Sequence, residues 1–194
     1  FEGKIIRSIT NDKAGALWIG GGFGVSRIFG NNFATMESRK ELPSGVYWMF
    51  EDTEGCFWLA TENEGIIQFT EGKFVNYSTA DGLLNDVSYS IFQNGQKDIW
   101  IGTQKGINRF SNNVFDLKIS LENGLPNTRF GAINADNDGN LWIGSPKGIL
   151  RWQNNRLVNL EGISGFENLT KTGIQVIYQD PENNLWIGTN TGLS

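Results

Sequence analysis

Five tryptophans set the terms on which this chain can fold. Trp18, Trp58, Trp100, Trp142 and Trp186 follow one another at intervals of 40, 42, 42 and 44 residues, each inside the same short text: ALWIG, CFWLA, DIWIG, NLWIG and NLWIG. Ile9, Met49, Ile91, Ile133 and Ile177 stand nine residues before them, and Asp12, Asp52, Asn94, Asp136 and Asp180 stand six before. A glycine and an aliphatic residue follow each: Gly24-Val25, Gly65-Ile66, Gly106-Ile107, Gly148-Ile149 and Gly192-Leu193. Arg27, Gln68, Arg109 and Arg151 come next, each ahead of an apolar residue. A unit this short cannot bury its apolar residues alone. Stacked copies can, so the repeat dictates an array.

The second unit shows the layout of each copy. Strands are expected over 46–51, 56–61, 66–70 and 73–77, separated by Asp52-Thr53-Glu54-Gly55, by a turn through Asn63 to Gly65, and by Glu71-Gly72. Four short apolar segments with glycine at the corners make an antiparallel meander, and a period of about 42 is that of a propeller blade. The first strands, such as VYWMF at 46–50, are apolar on both faces. A single open sheet would carry one polar face, so each blade should lie between neighbours.

The fold class expected is therefore all-β: a partial β-propeller of about 4.5 blades over 1–194, with blades near 4–40, 45–82, 86–124, 128–162 and 173–194, the last incomplete. Text that opens and stops in mid-pattern is expected to be a piece of a longer protein. A seven-bladed ring would need about 290 residues at this period. The end blades should then expose apolar faces that seek other blades or domains of the same protein, or a second copy.

Within this frame the five tryptophans are expected to be structural, wedged between blades. Asp12, Asp52, Asp136 and Asp180 should open turns, and Pro181 should preset φ in the last of these. Trp48 should be core. Arg27, Arg109 and Arg151 should lie along the blades, paired with a recurring acceptor.

Composition removes several chemistries. The chain has no histidine and a single cysteine, Cys56, so it offers no imidazole ligand, no Ser-His-Asp triad and no internal disulfide. With 21 acidic against 16 basic residues and a net charge of −5, without like-charged blocks, it offers no footprint for nucleic acid and no segment that inserts into a membrane. Asp136 to Asn140 has the look of a calcium loop, but its glycine comes too early and no glutamate stands at the twelfth position. No metal and no cofactor are expected.

Ile133 to Trp152, INADNDGNLWIGSPKGILRW, and Ile177 onward, IYQDPENNLWIGTNTGL, resemble the two-component regulator propeller repeat, as do the linkers DGLLND (81–86) and NGLPN (123–127). Departures are local: Asn94 and Lys97 in the third turn, Ala60 for glycine, KELPSG at 40–45, and an irregular linker at 162–173. The resemblance implies paired seven-bladed propellers in the extracytoplasmic part of membrane-anchored sensors, often hybrid histidine kinases, several of which respond to oligosaccharides. It implies a periplasmic sensor segment that is not itself an enzyme, with any kinase activity outside this chain.

Candidate ligand-binding residues are those that break the repeat. Tyr47, Tyr89 and Arg129 stand near the starts of first strands, and Lys105 and Lys147 in loops between second and third strands. Aromatic faces and basic groups suit an oligosaccharide. The plainer reading is inter-blade packing for the tyrosines and solvated charge for the lysines. Two rival roles stand beside the sensor: a structural or dimerisation module, and a propeller glycan hydrolase or lyase.

Overall fold

The computed structural model describes residues 4–30, 32–35, 45–70, 72–126, 128–136, 138–158, 160, 163–169, 171–180 and 182–193. The expected turn role of Pro181 and parts of the linkers at 40–45 and 162–173 lie outside them. The described residues form five antiparallel sheets, each a meander in sequence order. Blade 1 holds β1 (Ile6–Asn11), β2 (Leu17–Gly21), β3 (Gly24–Phe29) and β4 (Asn32–Thr35). Blade 2 holds β5 (Val46–Glu51), β6 (Phe57–Thr61), β7 (Ile66–Thr70) and β8 (Lys73–Tyr77). Blade 3 holds β9 (Ser88–Gln93), β10 (Ile99–Thr103), β11 (Ile107–Ser111) and β12 (Val114–Ile119). Blade 4 holds β13 (Ala132–Ala135), β14 (Leu141–Ser145), β15 (Gly148–Gln153) and β16 (Arg156–Val158). Blade 5 shows three strands among the described residues, β17 (Ile174–Gln179), β18 (Leu185–Thr189) and β19 (Gly192–Leu193). The first strands β1, β5, β9, β13 and β17 lie side by side in that order and form the inner rim.

The six-residue spacing of aspartate and tryptophan has a direct cause. One carboxylate oxygen closes the β-turn: Asp52 Oδ1 accepts from the backbone N–H of Glu54 and Cys56 at 2.9 and 2.8 Å. The other accepts from the indole. Trp18, Trp58, Trp142 and Trp186 donate Nε1–H to Asp12, Asp52, Asp136 and Asp180 at 2.9, 2.7, 2.8 and 2.8 Å. One side chain thus fixes the hairpin and aims the tryptophan. These turns require a positive φ near their end, supplied by glycine at Gly15, Gly55 and Gly139, and by Lys97 (φ 69°) in blade 3.

The core is divided into separate clusters, one in each gap between successive blades. Trp18 stacks on Phe57 of blade 2 at 4.3 Å, and Trp58 meets Phe110 of blade 3 edge-on at 5.7 Å. The repeat also measures what a neighbour covers. Met49, Ile91, Ile133 and Ile177 are buried against the preceding blade, whereas Ile9 is 59% exposed. Trp18, Trp58, Trp100 and Trp142 are buried against the following blade, whereas Trp186 is 44% exposed. Apolar surface lies bare at both end blades.

Two expectations need correction. Trp48 is 42% exposed, not core. Trp48 adjoins the buried Met49 and so faces away from the core by simple alternation along β5, while a β-bulge between Val46 and Trp48 shifts the register and turns Val46 inward as well. The arginines share no single acceptor. Arg27 bonds to Asp12 at 2.8 Å, Arg109 bonds to Asp116 at 2.9 and 2.7 Å, and the Nε of Arg151 is buried without a partner among the described residues. What recurs is the ring beneath: the guanidinium carbon lies 5.4, 5.9 and 5.4 Å from the centroid of Trp18, Trp100 and Trp142.

Candidate functional site

The bulges of the inner strands point to one place. Register shifts leave Arg7, Tyr47, Tyr89 and Gln175 as the extra residue in β1, β5, β9 and the start of β17. Gly131 holds the equivalent place in blade 4, two residues before Ile133. A bulge bends its strand and re-aims the side chain it carries. All five residues line one cavity of about 280 Å3 together with Arg129, Ser145, Pro146 and Ile174. Tyr89, Arg129 and Pro146 also line a contiguous cavity of about 410 Å3 that Gln104 and Thr128 complete.

The wall is ordered by aromatic and charged contacts. Tyr47 and Tyr89 meet edge to face, with centroids 5.0 Å apart. The guanidinium of Arg7 lies 4.3 Å over the Tyr47 ring and pairs with Glu62 at 3.3 Å. Burial, and then the Glu62 carboxylate, push the Tyr47 hydroxyl above its ordinary pKa, so it remains a hydrogen-bond donor across the physiological range. Arg129 is exposed and makes no ion pair among the described residues. Gly131 leaves open space where other blades carry a side chain.

The structure brings Tyr47, Tyr89 and Arg129 together and leaves Lys105 and Lys147 apart. The lysines are exposed in the β10–β11 and β14–β15 loops and line neither cavity, although the preceding Gln104 and Pro146 do. Sequence reasoning missed Arg7 and Gln175. The signal was present: both stand two residues before a repeated isoleucine, as Tyr47 stands before Met49 and Tyr89 before Ile91. No group of three or more metal-ligating side chains occurs among the described residues. The chemistry on offer is ring stacking, hydrogen bonding from a phenol and amides, and pairing with one free cation.

Residues 124–147 and 168–191 match the model of the family described as two component regulator propeller. Two stretches of the chain thus read as two-component-regulator propeller repeats. Each matched stretch begins in an inter-blade linker and runs through the first two strands of a blade, in blades 4 and 5. Among solved structures, the repeats superpose on the extracellular domain of a putative hybrid two-component system from B. thetaiotaomicron. The TM-score is 0.78 at 19% identity, over 97% of this chain and 26% of that one. A second such domain from the same organism gives 0.59 at 20% identity, over 98% and 32%. A catalytically inactive virginiamycin B lyase from Staphylococcus aureus, solved with quinupristin, gives 0.72 at 17% identity, over 98% and 69%. At these identities the likeness is one of fold. The chain spans only 26% of the length of the first of these domains. No curated protein matches the chain.

Proposed function

We propose that these blades belong to the extracytoplasmic, periplasmic sensor of a membrane-anchored, two-component-type signalling protein, and that they bind an oligosaccharide reversibly in the cavity shared by Tyr47, Tyr89 and Arg129. The observation that carries this reading is the convergence of five repeat-equivalent positions, occupied by unlike residues, on one cavity. A repeated scaffold with unlike side chains at one locus is how a binding site is grafted onto a symmetric fold. Two tyrosine rings and a free guanidinium suit the faces and hydroxyls of a sugar. The residues lining the cavity include no pair of carboxylates of the kind glycoside hydrolysis needs, which favours binding over turnover. The bare surfaces at Ile9 and Trp186 support a larger ring, seven-bladed in this reading, whose further blades cover them.

The test is thermal unfolding of the protein against a panel of oligosaccharides, each sugar analysed afterwards for breakdown. A ligand at 100 times its dissociation constant adds about 2.7 kcal/mol. A shift that leaves the sugar intact, and that is lost in a Tyr47→Ala, Tyr89→Ala, Arg129→Ala triple variant, supports the sensor. Cleavage of the sugar turns the reading into an enzyme, and no shift across the panel overturns it. The bare end faces support a second reading, a structural or dimerisation module. In that case substitutions at Ile9 and Trp186 change the mass in solution and the triple variant changes nothing.

A further inference from the structure

The repeat provides an internal control for a second site, on the side of the blades where the Asp–Trp turns lie. Between blades 1 and 2, Asp12, Trp18, Arg27 and Phe69 line a cavity of about 270 Å3. Between blades 2 and 3 the equivalent Asp52, Trp58, Gln68 and Phe110 line one of about 360 Å3. In the first cavity the guanidinium of Arg27 lies 5.4 Å from the Trp18 centroid, with Nη2 and Nε at 2.8 and 3.2 Å from Asp12 Oδ2. In the second, glutamine stands in place of arginine. Its Oε1 accepts from the Tyr77 hydroxyl at 3.4 Å and reaches no carboxylate.

The exchange leaves both room and charge. Asp52 is buried and its Oδ2 accepts from Trp58 at 2.7 Å; Lys13 Nζ donates to its backbone carbonyl at 2.7 Å, but no cation pairs with its carboxylate among the described residues. A buried carboxylate stabilised only by neutral donors favours a cation brought to it. Above it the rim carries Glu54 and Asp98, of which Glu54 holds Lys97 at 3.1 Å and Asp98 faces Arg109 at 3.7 Å. A guanidinium is planar, lies against an aromatic wall and donates several bonds in one plane, which an ammonium does not.

We infer that the gap between blades 2 and 3 is a binding site for a guanidinium group carried by a ligand, which lies beside Trp58 and bonds to Asp52 as Arg27 lies beside Trp18 and bonds to Asp12. The group comes either from a free guanidino compound or from an arginine side chain of a peptide. The site is separate from the Tyr47–Tyr89 cavity and shares no residue with it.

Calorimetric titration with N-acetyl-arginine amide, the matching lysine amide and agmatine tests this, with the Trp58 indole N–H resonance as a local reporter. Saturable binding of the arginine amide, at least tenfold tighter than the lysine amide and accompanied by a shift at Trp58, is expected. Gln68→Arg fills the cavity from within and weakens binding at least tenfold. Gln68→Glu adds a carboxylate and tightens it. Agmatine binding as tightly as the amide assigns the site to free guanidino compounds, and tighter binding of an arginine-containing peptide assigns it to a protein side chain. Equal binding of the arginine and lysine amides, or unchanged binding in both Gln68 variants, overturns the inference.

Discussion

Asn94→Asp is expected to stabilise the protein by about 1–2 kcal/mol, although it places a charge beside a half-buried turn. The reason lies in how the turn uses its side chain. Asn94 Oδ1 accepts from the backbone N–H of Gln96 and Asp98 at 3.1 and 2.9 Å, as Asp52 Oδ1 does from Glu54 and Cys56. That closure puts the amide Nδ2 where the other blades place a second carboxylate oxygen. The indole Nε1 of Trp100 therefore meets a donor instead of an acceptor, and it is buried without a hydrogen-bond partner among the described residues. A buried unsatisfied donor costs about 1–3 kcal/mol, and a bond to a charged acceptor is stronger than a neutral one. Against this stands the desolvation of a new carboxylate close to Asp98. Arg109, 5.9 Å from the Trp100 centroid and 3.7 Å from Asp98, offsets part of that cost, as Arg27 does for Asp12. The measurement is urea unfolding, with the midpoint rising at constant slope. A double-mutant cycle isolates the cause: in a Trp100→Phe background the donor is gone and the gain should vanish. A neutral or destabilising Asn94→Asp, or an equal gain in both backgrounds, refutes the reasoning.

Lys97→Gly should add about 0.5–1 kcal/mol in the same denaturation assay, because lysine holds a positive φ that glycine adopts freely and its exposed pair with Glu54 contributes little. Gly131→Phe should fill the space left open at the inner cavity, abolish any sugar-induced thermal shift and leave the melting temperature of the free protein within about 2 °C, since nothing crowds that position. At Asp12, burial pushes the carboxyl up, but the bonds from Trp18, Arg27 and the Ala16 backbone outweigh it and hold it below its ordinary value of 3.8. The stability it contributes is complete above that value and is lost as pH falls through the lowered folded one. Asp12→Asn should flatten the fall in unfolding midpoint below about pH 4 without steepening it above.

The blade plan was legible because spacing is all it needs. A tryptophan six residues after an aspartate requires only a β-turn to bring them together, and the turn residues were visible in the text. The inner cavity was only half legible. Tyr47 and Tyr89 stood out as aromatics, and Arg7 and Gln175 stand at the same repeat position in the text, but that this position faces a cavity follows from bulges, a property of register between two strands that neither strand's sequence displays alone. Trp48 was misread because VYWMF is apolar on both faces, although alternation from the buried Met49 already places Trp48 on the other side; the bulge at 47 changes Val46, which it turns inward. Lys105 and Lys147 illustrate the opposite limit. Their loops were placed on the correct side, but one residue of difference along a tight turn sends Gln104 and Pro146 to the cavity and the lysines to water.

The repeat also separates stability from specificity residue by residue. The turn carboxylate, the indole it holds and the inter-blade apolar residue recur with the same contacts in blade after blade, so they set the backbone to a common shape. The bulge position carries arginine, tyrosine, tyrosine, glycine and glutamine on that common shape. Since these side chains face a cavity instead of an inter-blade cluster, exchanging them changes what the cavity accepts at small cost to folding. The reverse holds where the scaffold itself departs from its pattern. Asn94 leaves a donor unmet and Gln68 leaves a carboxylate without a cation, and they sit in blades 3 and 2, where a second polar locus can be built without disturbing the inner rim. The two departures differ in consequence. The first is closed to solvent by Trp100 and acts only on stability, whereas the second opens through an exposed rim and can be answered by a ligand.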